Sequence, residues 1–202
     1  MTKSSVQLHW DYFLLLEKDL AMIADTLEIS EKNHNAYGPR ITQLILACGS
    51  ELDVALKSFV DVLAPSDQLE KVKKWNMNAY RRFISDYARE QFRTARVKFL
   101  RSNVVTAPWR EISSLSENET FSWWRTYNKV KHERVAYYED ANLGVSLNLI
   151  SALMIVDCYL AEASLEPLSG FTRIMDWDHH RKMPQLEQYY SESNRLRTSE
   201  PL

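Results

Sequence analysis

The chain has 202 residues, a mass of 23.7 kDa and a formal net charge of −2, with 45% hydrophobic and 26% charged residues. These values fit one globular domain with a substantial core, and they argue against a protein that coats nucleic acid by bulk charge alone, while leaving room for a local basic face. Only 4 glycines and 6 prolines occur, which favours long helices with few connections over an all-β fold.

The first predicted helix begins near Ser4 or Ser5 and ends near Leu27. Its apolar residues recur at three- and four-residue steps, which indicates an amphipathic helix with one buried stripe. The predicted stripe comprises Leu8, Tyr12, Leu15, Leu16, Leu20 and Ile23.

The second helix carries the clearest pattern in the chain. Gly38 ends the preceding loop, Pro39 suits a first helical position, and Pro65 stops the helix. Two less regular segments, SDQLEKVKKW and NAYRRFISDYAREQF, are also predicted to be helical. The buried face of the second helix is predicted to comprise Ile41, Leu44, Ile45, Cys48, Leu52, Ala55, Leu56 and Phe59.

The next stretch, RVKFLRSNVVTAPWREI, changes character, since β-branched residues and a proline favour a loop with a short strand pair. Ser116 to Glu119 then reads S-x-x-E, the capping-box pattern, which predicts a helix starting near Glu117. After a break at EDANLG, a last core helix is expected from about Val145 to Ala163. Its buried side is predicted to comprise Leu147, Ile150, Met154 and Cys158.

These elements predict an all-α fold, a single bundle of four to five helices with a less regular insertion around residues 92–116. The bundle is expected to span residues 1–168, and residues 169–202 to form a polar, partly disordered C-terminal extension. The sequence shows no leader and no apolar run of about 20 residues, so we expect a cytoplasmic protein outside the membrane. Cys48 and Cys158 are expected to be free, buried thiols, with a disulfide or a metal pair as the alternatives.

The stretch FSWWRTYNKVKHERVAYY is the candidate functional site. Arg125 and His132 are seven positions apart, with six residues between them, so both lie on one helical face about 10 Å apart along the axis, with Asn128 and Lys129 between them. Histidine exchanges protons near neutral pH, and arginine binds phosphate oxygens through a planar fork. The pair therefore suits metal-free RNA cleavage, in which the imidazole deprotonates a ribose 2′-hydroxyl and the guanidinium stabilises the phosphorane. The alternative is a structural role, in which both side chains bond to carboxylates or carbonyls inside the bundle.

The spacing in RTYNKVKH resembles the R-x(4–6)-H signature of HEPN domains, and WWRTYNKVKHER is similar to a WWxxYNxxKHxR phrase of bacterial proteins of unclear activity. The resemblance covers about Glu117 to Ala163. It implies an all-helical, commonly dimeric fold of the kind found in prokaryotic toxins, abortive-infection systems and CRISPR-associated ribonucleases. It also implies that Arg125 and His132 are the catalytic pair. The sequence departs from the pattern at Thr126, where catalytic members usually carry a polar Asn, Asp or His, and Asn128 follows one turn later.

A basic segment before the candidate site predicts an RNA-binding surface, because cations neutralise phosphates and the interleaved aromatic rings can stack on bases. The alternative is a solvated basic face with core aromatics behind it. The candidate RNA-binding residues are Arg81, Arg82, Arg89, Arg93, Arg96, Lys129 and Lys131.

Trp123 and Trp124 lie about 100° apart around a helix, so one is expected inside the core and the other at a subunit interface or on a base. DWDHH, residues 176–180, places carboxylates beside imidazoles, but neighbouring residues rarely converge on a metal, and we predict neither a metal nor a cofactor. The expected partners are a second copy of the chain, RNA and an antitoxin-type protein. The rival hypothesis is a non-catalytic dimeric interaction module in which Arg125, Asn128 and His132 form a structural polar network.

Overall fold

The computed structural model of the chain describes residues 3–64, 75–100 and 102–178. Within them the chain forms six α-helices and three short strands. The helices are α1 (Ser5–Ala24), α2 (Pro39–Leu63), α3 (Met77–Tyr87), α4 (Arg89–Thr94), α5 (Ser122–Glu133) and α6 (Leu143–Ser164). The strands are β1 (Arg96–Phe99), β2 (Val105–Thr106) and β3 (Met175–Asp178).

Helix α6 is the centre of the fold and packs against α1, α2 and α5. The sequence predicted one buried side for this helix, but the structure buries it nearly all round, because neighbours cover it from several directions. By length and composition α6 is also apolar enough to cross a membrane. However, 83% of its most apolar window is buried inside the fold, as in the core helix of a soluble protein.

Helix α2 matches its prediction closely. It begins at Pro39 directly after Gly38, ends at Leu63, and buries every residue of the predicted stripe. The segment NAYRRFISDYAREQF is helical as predicted and is split into α3 and α4 at Ala88, whereas most of SDQLEKVKKW lies outside the described residues.

The predicted face of α1 is wrong in its first half. Leu8 and Leu15 are 56% and 52% exposed, while Trp10 and Phe13 are buried. The helix is apolar on two sides, so spacing alone left two stripes to choose from. The larger aromatic groups of the second stripe fill the core, and the buried residues are Val6, Trp10, Phe13, Leu16, Glu17, Leu20 and Ile23.

The insertion contains the predicted strand pair, with β1 antiparallel to β2. The all-α prediction is nevertheless only approximate, because β3 pairs with the other edge of β1 and completes a three-stranded sheet in the order β2-β1-β3. Residues 169–178 therefore belong to the folded domain rather than to an extension, and residues 179–202 lie outside the described part of the chain.

A buried carboxylate on α1 fixes the approach to β3. Oε1 of Glu17 accepts hydrogen bonds from the backbone N–H groups of Arg173, Ile174 and Met175 at 2.5, 2.7 and 3.3 Å. Polar side chains are rarely buried without such compensation, so these bonds explain how Glu17 can be 1% exposed. The segment that leads into β3 is thereby attached to the first helix.

Asp157 on α6 is a second buried carboxyl, and neither of its oxygens has a hydrogen-bond partner within the described residues. Burial raises the pKa of this carboxyl well above its ordinary value of 3.8, and the charge of Glu51 raises it further. The folded protein holds the proton over a pH range in which the unfolded chain releases it.

Asp157→Asn is therefore expected to change the pH dependence of stability. Folding takes up a proton at Asp157, so the stability of the wild type falls as pH rises above about 3.8 towards the folded-state pKa. The asparagine variant has no such proton to lose. The melting temperature of the variant minus that of the wild type should therefore increase as pH rises from 4 to 8. Thermal melts across this range provide the measurement, and parallel curves for the two proteins would contradict the prediction.

Candidate functional site

Helix α5, which carries the candidate pair, begins at Ser122 and not near Glu117. The predicted capping box is only partly formed, with the Glu119 carboxylate accepting a hydrogen bond from the Ser116 N–H at 2.9 Å. The backbone N–H of Glu119 bonds to the Ser116 carbonyl, closing a turn instead of starting a helix. The capping pattern was therefore satisfied locally, before the helix.

Both tryptophans at the start of α5 are buried, so the prediction that one would face a partner or a base is wrong. Trp123 is 5% and Trp124 8% exposed. The indole N–H of Trp123 donates to the Pro108 carbonyl at 3.0 Å, and its ring packs against Trp109 and Phe121. The insertion thus covers a second side of α5, in addition to the side that faces the helical core. As a result, α5 is buried over more of its circumference than a surface helix is.

Arg125 and His132 are exposed on the face of α5 that points away from its buried stripe. They lie roughly 140–160° around the helix from buried Tyr127. Among the described residues, the one hydrogen bond of the Arg125 side chain is a long one, 3.4 Å, to the Thr120 carbonyl. Asn128 is half-buried beside this face. Within the described part of one chain, these three side chains form no hydrogen bonds with one another.

The two lysines of the predicted RNA-binding set are exposed on either side of the pair. The ammonium of Lys129 lies 4.6 Å from the centre of the Tyr137 ring, and that of Lys131 lies 5.5 Å from the centre of the Tyr127 ring. Lys131 also faces α2, where its charge partly offsets the burial that raises the pKa of Asp53. Both lysines therefore add positive charge around α5.

Arg81 has a structural role that its sequence did not reveal. It is 6% exposed, and its two terminal nitrogens donate to the carbonyls of Leu115 and Ser116 at 2.7 and 2.8 Å. Its Nε is buried with no hydrogen-bond partner among the described residues. Arg81 thus ties α3 to the loop before α5, and this geometry corrects the prediction that it is a free RNA contact.

Arg82 and Arg89 share a cavity of about 390 Å³ with Arg81, between α3 and residues 112–117. We call this cavity the arginine cleft. Arg82 is 3.8 Å from the Glu117 carboxylate, with its side chain 62% exposed, and the Nε of Arg89 donates to the Ser85 carbonyl at 3.0 Å. The structure therefore brings together three of the five arginines predicted to bind RNA.

The other two arginines lie elsewhere and are engaged. Arg93 makes a bidentate pair with Glu90 at 3.0 and 2.6 Å, and Arg96 donates to the carbonyls of Arg93 and Ala95 from the start of β1. Exposed pairs of this kind contribute little stability, but they occupy the guanidinium groups.

The loop before α5 connects the arginine cleft to the candidate pair. The hydrogen bond from Ser116 is the largest cause lowering the pKa of Glu119, and the charges of Arg125 and Arg81 lower it further. Arg81 donates to the Ser116 carbonyl and Arg125 to the Thr120 carbonyl of the same loop, so the cleft and the start of the exposed face of α5 lie side by side.

A Ser–His–Glu arrangement joins α1 to α2 away from this surface. Nδ1 of His9 lies 2.6 Å from Oε1 of Glu51, and Nε2 lies 3.0 Å from the Ser58 hydroxyl. A hydrolase would also need free backbone donors beside the serine for an oxyanion. Ser58 is inside the continuous helix α2, where neighbouring N–H groups bond within the helix, so we interpret this cluster as an interhelical contact.

Two larger cavities, of about 610 and 680 Å³, lie where the end of α1 and the following loop face the sheet. They contain none of the residues predicted from the sequence as functional. Among the described residues, no group of three or more His, Cys, Asp or Glu side chains is placed to hold a metal. DWDHH lies partly outside the described residues, since side chains are described only up to Trp177.

The residues predicted from the sequence did not include the serines and the apolar residues of the arginine cleft. Ser85 lies three residues after Arg82 and four before Arg89, so a helical stripe through this segment would have indicated it. Ile112, Ser113 and Leu115 come from a distant loop whose position has no signal in the local sequence.

Comparison of the chain with protein-family models, curated proteins and solved structures found no match.

Proposed function

We propose that this chain is an HEPN-like, metal-independent endoribonuclease that acts in phage defence or as the toxin of a toxin–antitoxin pair. The observation that carries the proposal is the shared exposure of Arg125 and His132 on one face of α5, beside a cleft lined by arginines. A bundle that used these side chains for its own stability would pair them internally, and here their bonding capacity is directed outwards.

The proposed chemistry needs only side chains of this face. His132 takes the proton from a ribose 2′-hydroxyl, and the 2′-oxygen attacks the adjacent phosphorus. Arg125 stabilises the negative charge that develops on the phosphorane oxygens. The bond to the 5′-oxygen breaks, that oxygen takes a proton from solvent, and the products are a 2′,3′-cyclic phosphate and a 5′-hydroxyl. Asn128 orients the substrate or the His132 ring.

A homodimer is part of the proposal, since the convex exposed face of one helix excludes little water. A second copy packed against α5 would place two Arg125/His132 faces in one cleft and lower the local dielectric, which strengthens the charge stabilisation. Lys129 and Lys131, with Arg82 and Arg89, would then hold the phosphates that flank the cleavage point.

The test is cleavage of total RNA in the presence of EDTA by the wild type, Arg125→Ala and His132→Ala. Each substitution is expected to lower the cleavage rate by at least about a hundredfold, the usual size of a lost acid–base or charge-stabilising group. Both side chains are exposed, so the melting temperature should change little. Arg134→Ala, which removes an exposed arginine at the end of the same helix, should retain activity.

A second candidate function is the non-catalytic interaction module. It is favoured by an exposed apolar stripe on α1, formed by Leu8, Tyr12, Leu15 and Met22, which a partner could cover. In that case Arg125, Asn128 and His132 would bond across a subunit interface. Wild-type protein that leaves RNA intact, together with a dimer that dissociates in His132→Ala, would favour this function over the nuclease.

A further inference from the structure

The arginine cleft contains one guanidinium group that is already immobilised. Arg81 bonds to two carbonyls of the opposite wall, so its charge is fixed between α3 and residues 115–116 without needing a ligand. A preorganised charge costs no side-chain ordering when an anion binds. Its buried Nε is still without an acceptor among the described residues.

Two further guanidinium groups reach the same cavity with donors to spare. Arg82 faces Glu117 at 3.8 Å, too far for a hydrogen bond. Arg89 uses Nε on the Ser85 carbonyl, which sets the direction of the side chain, and its terminal nitrogens have no hydrogen bond within the described residues. The serines of the cleft, Ser85 and Ser113, add hydroxyl groups.

The charge balance of the cleft favours an anion. Three arginines line it against two carboxylates, those of Asp86 and Glu117. A volume of about 390 Å³ lies within the usual range for small-molecule sites, and Leu115 provides an apolar surface beside the charges.

The number of donors points to a phosphate monoester over a diester. A diester in an RNA backbone carries one charge and two unbridged oxygens. A monoester carries about −1.5 to −2 charge at neutral pH and three strong acceptor oxygens, which better match the donors of Arg82, Arg89 and the serines.

We infer that the arginine cleft binds a phosphomonoester group, carried by a free mononucleotide or by the end of an RNA strand. The choice of nucleotides as carriers of this phosphate group rests on the proposed function. The inference gives the proposed RNA-binding surface a defined class of ligand. Because Arg81 in the cleft and Arg125 on α5 bond to carbonyls of the same loop, at Ser116 and Thr120, a phosphorylated strand end held in the cleft would lie beside α5.

The test measures binding to the full-length chain with His132→Ala, which prevents turnover of RNA under the proposed function. The ligands are adenosine, adenosine 5′-monophosphate, and one short single-stranded RNA with and without a 5′-phosphate. The phosphorylated member of at least one pair should bind more tightly than its unphosphorylated counterpart by a factor of about ten or more, the size expected for hydrogen bonds to a charged group. Selectivity within the adenosine pair would assign the site to free nucleotides, and selectivity within the RNA pair alone would assign it to strand ends.

Matched variants locate the site. Arg82→Ala and Arg89→Ala should each remove most of the preference for phosphate, while Glu117→Gln should strengthen it by removing a competing carboxylate. Arg93→Ala, which removes an arginine paired with Glu90 outside the cleft, should leave the preference unchanged. Equal affinity for phosphorylated and unphosphorylated ligands, or a preference retained in both cleft variants, would overturn the inference.

Failure of the two proposals can be told apart. Phosphate-selective binding by a wild type that does not cleave RNA would overturn the nuclease and leave the site. Cleavage that depends on His132 without any phosphate selectivity would overturn the site and leave the nuclease.

Discussion

Trp109→Ala is expected to lower the free energy of unfolding by about 3–5 kcal/mol, the range for removing a large aromatic side chain from a core. Trp109 is fully buried, and its ring makes edge-on contacts with Phe92, Phe121 and Trp123 at centroid distances of 5.2–5.5 Å. Its indole N–H also donates to the Ala152 carbonyl of α6 at 3.4 Å. Losing the ring removes these contacts and opens a cavity that rigid neighbours cannot fill.

The substitution should also disturb the candidate site, since Trp109 lies between α6 and Trp123 at the start of α5. Chemical denaturation of the two proteins measures the stability change. Phe171→Ala is the control, because this aromatic ring is 94% exposed and its removal should cost less than about 0.5 kcal/mol. A Trp109→Ala protein within 1 kcal/mol of the wild type would show that the aromatic cluster is not the support of the insertion.

Gly49→Ala is expected to destabilise the protein by about 1–3 kcal/mol, although alanine is ordinarily the better helix former. Gly49 is on α2, and a Cβ added there would lie 2.3 Å from a carbon of the Tyr127 ring on α5. Tyr127 is 2% exposed and packed against Trp124, so it has little room to retreat. The added methyl group would push α5 away from α2.

A double-mutant cycle with Tyr127→Ala tests this reason for the glycine. With the ring removed, Gly49→Ala should become neutral or stabilising, which gives a coupling free energy of about 1–3 kcal/mol between the two positions. Gly144→Ala is the control, since the nearest atoms to its added Cβ, on Asn142 and His34, would lie 3.5 Å away. Equal effects of Gly49→Ala with and without Tyr127 would refute the contact.

The buried face of a helix was predictable where its apolar residues allowed only one such face. In α2, a single face carries the apolar residues, and proline and glycine mark its start, so both its limits and its buried side followed from the sequence. In α1 two apolar faces compete, and the choice between Leu8 and Trp10 depends on the shape of the surrounding core. Periodicity can establish that a helix is amphipathic without identifying which of two stripes the core will accept.

At the candidate site, the roles of side chains that contact distant segments were likewise not predictable from the sequence. Trp123 is covered by Pro108 and Trp109, and Arg81 is used by the carbonyls of Leu115 and Ser116. Neither contact has a sequence signal near the residue that makes it. By contrast, helical spacing predicts that Arg125 and His132 lie on the same side of the helix. Residues seven positions apart share a face whatever the orientation of the helix in the fold.

The pairing of β1 with β3 has a consequence for how the chain folds as it is synthesised. The middle strand of the sheet and the Glu17 carboxylate are both made early, but their partners at 173–178 emerge only after α6 is complete. Until then, one edge of β1 is open to other chains, and open edges are where nascent proteins associate wrongly. A ribosome that stopped before Met175 would release a chain with most of its helices formed and an unprotected strand, a form suited to recognition by chaperones and proteases.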